Sequence, residues 1–238
     1  MSESKNVRKS IKIGCISRKV RARVQKHKGK VKWSSIMVKF YFVRHGETDW
    51  NAQGRFQGIE NIPLNETGLK QAEECGKGMK ACGISFDYIV SSPLDRARVT
   101  AERIAEYVGI NVADVQIDNR LIERDFGEIS GRKREDRERM FNDGRDYGME
   151  PLENVIERMQ QVMEYYSDIN SVSSSIGDTK NVVMVTHGAS IRALLAKYCE
   201  AGSAPTIEVQ KNTYVTVIAY DGEKYYMEAY DVAPKDLA

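Results

Sequence analysis

The sequence predicts an α/β fold built on a mainly parallel sheet with an antiparallel edge. Three observations predict it. Short apolar, β-branched runs (Ile36 to Val43 and Val182 to Val185) read as strands buried on both faces, as the strands of parallel sheets are. Segments with apolar residues at helical spacing separate these runs. Near the end, Asp221-Gly222 stands between two strand-like runs, which is a hairpin signal. A chain of 238 residues suits one such domain, or one with an inserted subdomain.

Met37 to Val43 reads as the first strand, and Arg44 to Pro63 as a long loop. Asn65 is suited to cap a helix that runs through Leu69, Ala72, Gly76 and Met79 and stops at Gly83. Phe86 to Val90 is the second strand. Ser91-Ser92-Pro93 breaks it, and a helix follows from about Leu94 to Val108, with Gly109 as its stop. Val115 to Ile117 is a weak third strand, and Leu121 to Gly131 is irregular. Arg132 to Arg139 is a dense charge run, read first as a solvated helix face. Leu152, Val155, Met159, Val162 and Met163 give helical spacing up to Tyr166. Ser171 to Gly177 is a loop of small residues, Asn181 to Thr186 the fourth strand, and Ser190 to Tyr198 a helix. Thr213 to Tyr220 and Tyr225 to Tyr230 form the closing hairpin.

Charge is unevenly spread. Residues 1–36 hold twelve Lys or Arg and one acid, a segment charge of +11, so the net +2 leaves −9 on residues 37–238. Such a self-repelling arm reads as disordered or loosely attached. It is the only candidate for nucleic acid or an anionic surface, and a targeting leader is a second reading. A non-functional extension is favoured, because Met37 opens the first strand directly and the body needs nothing before it. No apolar run approaches the ~20 residues of a membrane span, and no secretory core is present, so a cytoplasmic location without membrane contact is expected. The four cysteines (Cys15, Cys75, Cys82, Cys199) show no Cys-x-x-Cys spacing and read as reduced thiols.

Two of the three histidines, His45 and His187, sit in His-Gly pairs at the ends of strands; His27, in the arm, reads as solvated. Ligands of open α/β sheets bind beyond the carboxyl ends of the strands. The polar residues that follow the strands are Arg44 and His45, then Ser91, Ser92 and Arg96, then Glu123, then His187 and Gly188. Two guanidinium groups suit an oxyanion. The helices after Ser92 and His187 are expected to add N-terminal N–H groups. The edge therefore reads as a phosphate pocket. A metal site is the rival, but it asks for three or four ligands, and two arginines repel a dication. No metal or cofactor is expected. Walker-type, His-Glu-x-x-His and Gly-x-Ser-x-Gly motifs are absent.

Arg44-His45-Gly46-Glu47-Thr48 with Trp50-Asn51 resembles the signature of the histidine phosphatase superfamily, in its phosphoglycerate mutase-like branch. The resemblance continues through Arg55-Phe56-Gln57-Gly58, Leu64-Asn65-Glu66-Thr67-Gly68 with Gln71-Ala72, and Ser91 to Ala97 with Thr100-Ala101. It ends with Leu121 to Gly127 and Thr186-His187-Gly188. It implies a three-layer sandwich over residues 37–238, with helices on both faces and a small helical cap insertion at about 128–170. It also implies roles. His45 would accept the phosphoryl group. Arg44, Arg96 and His187 would hold its oxygens. Thr48 and Asn51 would add hydrogen bonds, and Gln57, Gly58 and Gly188 would line the substrate side. Glu123 would be the general acid and then the base; a plain salt bridge to Arg120 or Arg124 is its alternative. Glu150 resembles the glutamate that opens a later helix of the family, although Pro151 follows it where the family has serine.

Imidazole can attack phosphorus and later leave, splitting one displacement into two. An Arg/His clamp can then do the electrostatic work of a metal ion. Only 64 positions separate Glu123 from His187, which resembles compact phosphatases rather than mutases with a longer insertion. The expected function is a metal-independent phosphomonoesterase acting on a small phosphorylated metabolite. A phosphoglycerate mutase comes second and a catalytically silent binding module third. Arg132, Lys133, Arg134, Arg137 and Arg139 either line the mouth or face solvent. Monomer and homodimer both stay open.

Overall fold

The computed structural model describes residues 37–173, 179–198 and 210–237. The basic arm, Cys15, Cys199 and most of the loop expected at 171–177 lie outside these residues. A six-stranded sheet forms the middle layer, in the order β3-β2-β4-β1-β5-β6. Strands β1 (Met37–Arg44), β2 (Tyr88–Ser91), β3 (Gln116–Ile117) and β4 (Thr179–Thr186) run parallel, as the apolar runs predict. β5 (Val215–Tyr220) pairs antiparallel with β1 and with β6 (Tyr225–Val232), which makes the expected antiparallel edge.

The alternation of β1 assigns the two faces. Val38, Phe40 and Phe42 lie in one core cluster with Val155, Met159, Val162, Met163 and Tyr166 of α5 (Leu152–Ser173) and Ile191, Leu194 and Leu195 of α6 (Gly188–Tyr198). Tyr41 and Val43 lie in the other, with Cys75 and Met79 of α2 (Glu66–Ala81) and Ala97, Ala101 and Ile104 of α3 (Asp95–Val108). Each large side chain so buried contributes roughly 1.5–3 kcal/mol relative to exposure. The result is the three-layer sandwich with helices on both faces.

Helix ends follow local chemistry. Asn65 Oδ1 accepts from the Gly68 N–H at 2.8 Å, the cap expected for α2. Gly109 ends α3 in the left-handed region at φ +84°, where a side chain would be strained.

Several boundaries differ from the sequence reading. Strand β2 starts at Tyr88, because pairing with β4 begins at Tyr88↔Val182, while Phe86 is buried without joining the ladder. The loop expected over 44–63 contains a one-turn helix, α1 (Asp49–Ala52), closed by a Thr48/Asn51 capping box. The hairpin turn has four residues, since Asp221 Oδ1 accepts from the N–H groups of both Glu223 and Lys224. Helix α5 runs on to Ser173. Its apolar face packs on the sheet, so it belongs to the main sandwich and not to the cap expected over 128–170. The cap that forms is smaller. Phe56, Ile129, Met140 and Tyr147 make a third cluster with Phe126 and Met149. The charge run divides into a 3-10 turn (Arg134–Asp136) and α4 (Arg137–Asn142).

Candidate active site

Strands β1 and β4 are neighbours in register, with Arg44 opposite Thr186. The His45 N–H donates to the Thr186 carbonyl at 3.0 Å. His45 and His187 therefore emerge side by side from two central strands, their ring centroids 5.1 Å apart. Beyond them opens a cavity of about 410 Å³. Arg44, His45, Asn51, Gln57, Glu123 and Gly188 line it, as the sequence reading expects.

The two imidazoles are held in opposite ways. His45 Nδ1 lies 2.6 Å from the Gly46 carbonyl. A carbonyl only accepts, so Nδ1 carries the proton and Nε2 keeps a lone pair. His187 Nδ1 lies 3.2 Å from Arg96 Nε, which only donates. That puts the His187 proton on Nε2, which donates to Ser92 Oγ at 2.7 Å. One ring is thus set as a lone-pair bearer and the other as a donor. Both pKa values lie well below the ordinary histidine value. Burial is the largest cause, with the Arg96 charge next. Both rings are therefore neutral at pH 7.

Arg44 reaches the cavity with its guanidinium fixed. Its Nη1 donates to the Gln210 carbonyl, while Nε, fully buried, has no partner. Burial and the nearby Arg134 push its pKa down to about 10, so it stays charged at pH 7. Asn51 Nδ2 is a second buried donor without a partner. Buried donors are rarely left unpaired. Two at one cavity wall mark where acceptor oxygens belong.

Glu123 accepts three backbone hydrogen bonds. Oε1 takes those of the Arg124 and Ser190 N–H groups, and Oε2 takes that of the Ala189 N–H at 3.2 Å; the single Ser190 hydroxyl proton is divided between Oε1 at 3.2 Å and the Ile122 carbonyl at 2.9 Å. The salt-bridge alternative does not describe it, since Arg120 pairs with Asp118 and Arg124 Nε donates to the Glu150 carbonyl. The helix N-termini are used differently from the expectation. The first N–H groups of α6 go to Glu123, and that of Asp95 on α3 goes to Asn61 Oδ1, because side chains of the protein reach them first.

Four expected residues lie behind the cavity wall. Arg96 is fully buried; its Nη1 and Nη2 donate to the Glu60 and Gly58 carbonyls at 2.6 and 2.8 Å. His187 stands beside it. Thr48 Oγ1 donates to Gln57 Oε1 and accepts from the Asn51 N–H, so it orients two lining residues. Gly58 contributes only its carbonyl, to Arg96. The charge run also splits. Arg134 lines the cavity, because residues 131–134 pair by backbone bonds with 54–56. Arg132 stacks over Tyr147, and Lys133 donates to the Gln53 carbonyl. Glu150, whose role Pro151 put in question, forms an ion pair with Arg158 at 2.9 Å. Arg158 also donates to the Arg120 and Ile122 carbonyls, so the pair braces the segment that carries Glu123.

Sequence reasoning missed two groups. Phe126, Leu152, Arg124 and Arg192 line the cavity. Arg192 follows Gly188 by four residues, a same-face spacing that was readable once the helix was placed. The second group is the loop before β5. Asn212 Nδ2 donates to the His45 carbonyl at 2.8 Å, and the Thr213 N–H donates to the Arg44 carbonyl at 2.9 Å. Thr213 has φ +61°, a left-handed backbone that costs a β-branched residue on the order of 1–2 kcal/mol. No signal in the sequence ties this loop to Arg44 and His45.

The glycines of two motifs explain each other. A Cβ on Gly46 would meet the Gly68 carbonyl oxygen at 2.4 Å, and a Cβ on Gly68 would meet the Glu47 oxygen at 2.0 Å. The start of α2 is pressed onto the loop after His45, and only glycine allows it.

The strand ends thus carry two neighbouring imidazoles and two buried guanidinium groups, with two unpaired donors at the cavity wall. The sequence model of the histidine phosphatase superfamily (branch 1) matches residues 40–232, and the chain belongs to that family. Among its relatives is PhoE, an uncharacterized phosphatase of Bacillus subtilis (strain 168). It is 37% identical over 82% of this chain and 95% of its own length. A 2,3-bisphosphoglycerate-dependent phosphoglycerate mutase of Beijerinckia indica is 32% identical over 64% of this chain and 77% of its own. The mycobacterial glucosyl-3-phosphoglycerate phosphatase, solved with VO3, superposes with a TM-score of 0.68 at 25% identity. That match covers 82% of this chain and 99% of the other. Among the described residues no helix is long and apolar enough to cross a membrane.

Proposed function

We propose that the protein is a phosphomonoesterase that works through a phosphohistidine on His45. The opposite hydrogen-bonding of the two imidazoles carries this reading. With Nδ1–H tied to the Gly46 carbonyl, His45 Nε2 can attack phosphorus. Arg44 Nε and Asn51 Nδ2 supply donors for the phosphoryl oxygens. His187 adds its Nε2–H by turning from Ser92, and Arg96 keeps that proton in place through Nδ1. In the first step the ester P–O bond breaks and the leaving oxygen takes a proton from Glu123 Oε2, the carboxyl oxygen with the single partner. In the second, Glu123 removes a proton from water, which attacks the phosphohistidine and releases phosphate and free His45. Arg44 offsets charge that a metal ion would otherwise meet, so the reaction requires no cation.

Phosphate release from an aryl phosphate tests the reading. Turnover that survives chelation and disappears in His45→Ala supports it. Acid-labile phosphate trapped on His187, with none on His45, would overturn it. The mutase relative keeps one second reading alive. Bisphosphate-dependent interconversion of phosphoglycerates, faster than phosphate release, would establish it instead.

A further inference from the structure

The cavity offers more cationic and more apolar wall than a phosphoryl group uses. Its phosphoryl end is marked by His45, Arg44 Nε and Asn51 Nδ2. Arg134 belongs to the same end, since its charge acts on both Arg44 and His45. The remaining wall has two components. Phe56, Phe126 and Leu152 are apolar, and the two rings pack with centroids 5.0 Å apart. Arg124 and Arg192 bring two further guanidinium groups.

Each arginine is built into its place. Arg124 Nε is tied to the Glu150 carbonyl at 2.7 Å, and its guanidinium carbon sits 6.0 Å from the Phe126 ring centre. Arg192 lies one helical turn past Gly188, and helical side chains lean back toward the N-terminus, which aims it at the cavity. Glu123, the one carboxylate on the wall among the described residues, is occupied by three backbone N–H groups. Residues 37–238 carry −9 overall, so these cations are gathered here against the trend of the body.

We propose that the leaving group of the natural substrate has a flat apolar body and ends in a second anionic group. The substrate class is the phosphate ester of an apolar or aromatic hydroxy acid. Phe56, Phe126 and Leu152 take the body, and Arg124 and Arg192 take the distal anion. The proposal rests on the phosphatase reading for the direction of chemistry. It disfavours phosphoglycerates, whose short oxygen-bearing chain would set polar groups against the rings.

The test uses the full chain and three probes: phenyl phosphate, 4-(carboxymethyl)phenyl phosphate and 3-phosphoglycerate. Phosphate release gives kcat/KM for each, and calorimetry gives their binding to His45→Ala. The carboxylated aryl probe is expected to exceed phenyl phosphate by about tenfold, the scale of one charge-assisted hydrogen bond. Both aryl probes are expected to exceed 3-phosphoglycerate. Arg192→Gln should bring the first ratio toward one, and Phe126→Ala the second. A preference for 3-phosphoglycerate, no advantage from the carboxylate, or ratios unmoved by these substitutions would overturn the proposal. If no probe is hydrolysed yet the binding order holds, the phosphatase reading falls and the specificity stands. If the probes are hydrolysed in another order, the specificity falls and the phosphatase reading stands.

Discussion

The floor and the mouth of the cavity are made differently. The floor consists of strand ends and the loop before β5. Every backbone group that fixes Arg44 and His45 is paired, to Thr186, Tyr214 or Thr213, and Asn212 adds a side-chain bond. The mouth is assembled from four separate stretches: residues 54–57, 123–134, Leu152 and Arg192. It is held by one small apolar cluster and by the Glu150–Arg158 pair. A floor set by sheet register can position a nucleophile within tenths of an ångström, which phosphoryl transfer demands. A mouth set by loops and by single positions on α5 and α6 can change its residues without disturbing that register. On the proposed function, the difference separates chemistry from specificity within one cavity.

Substitutions can break or sharpen this contrast. The largest effect is expected from His45→Ala, which removes the proposed phosphoryl acceptor. Turnover of an aryl phosphate should fall by on the order of 10⁴-fold or more, with the fold unchanged by circular dichroism. Arg44→Gln deletes the fixed guanidinium and should lower kcat by about 10²–10³-fold. Asn212→Ala touches no substrate. If the loop before β5 positions His45, kcat should fall by roughly tenfold with KM little changed. A rise in KM alone would remove Asn212 from the floor.

The mouth should respond in stability first. Arg158→Met removes four hydrogen bonds, two to the Glu150 carboxylate and two to the Arg120 and Ile122 carbonyls, at a cost of about 2 kcal/mol read from chemical denaturation. Arg145 and Glu128 pair at the exposed rim of the cap. Arg145→Ala should shift stability by less than about 0.5 kcal/mol.

Acid should act on the floor. Both site histidines are neutral when folded, with pKa values held below the ordinary value by burial and by Arg96. The unfolded chain protonates them near the usual ~6.5. Below that pH the unfolded state binds protons that the folded state does not, so stability is full above about 6.5 and declines as pH falls below it. Denaturation midpoints at pH 8 and pH 5.5, compared with those of His45→Phe, check the sign. A midpoint that rises on acidification would contradict it.

Much of the floor was legible because its cause is local. Apolar runs that end in Arg-His-Gly and Thr-His-Gly announce strand ends, and parallel strands bring their carboxyl ends to one edge. Asn65, Gly68 and Gln71 were legible as a motif, and the structure supplies their cause. Gly68 lets α2 touch the loop after His45, and Gln71 Oε1 accepts from the Glu47 N–H. Arg96 and Thr48, expected to touch the phosphoryl group, lie instead behind the cavity wall, bonded to His187 and Gln57. Phe126, Leu152 and Asn212 carried no local signal, because contacts such as Phe126 with Phe56 and Asn212 with His45 join residues far apart in the chain and leave no periodicity behind.

By itself the sequence determined which strands are buried, where they end and which residues are delivered there, since these follow from apolar patterning and turn chemistry. Only the tertiary structure decided what each delivered residue can do. The two His-Gly elements look alike in the chain. One ring meets a carbonyl that only accepts, the other a guanidinium nitrogen that only donates. These partners, brought in by strand pairing and by α3, set the protons on opposite nitrogens, which leaves one imidazole a free lone pair and makes the other a donor.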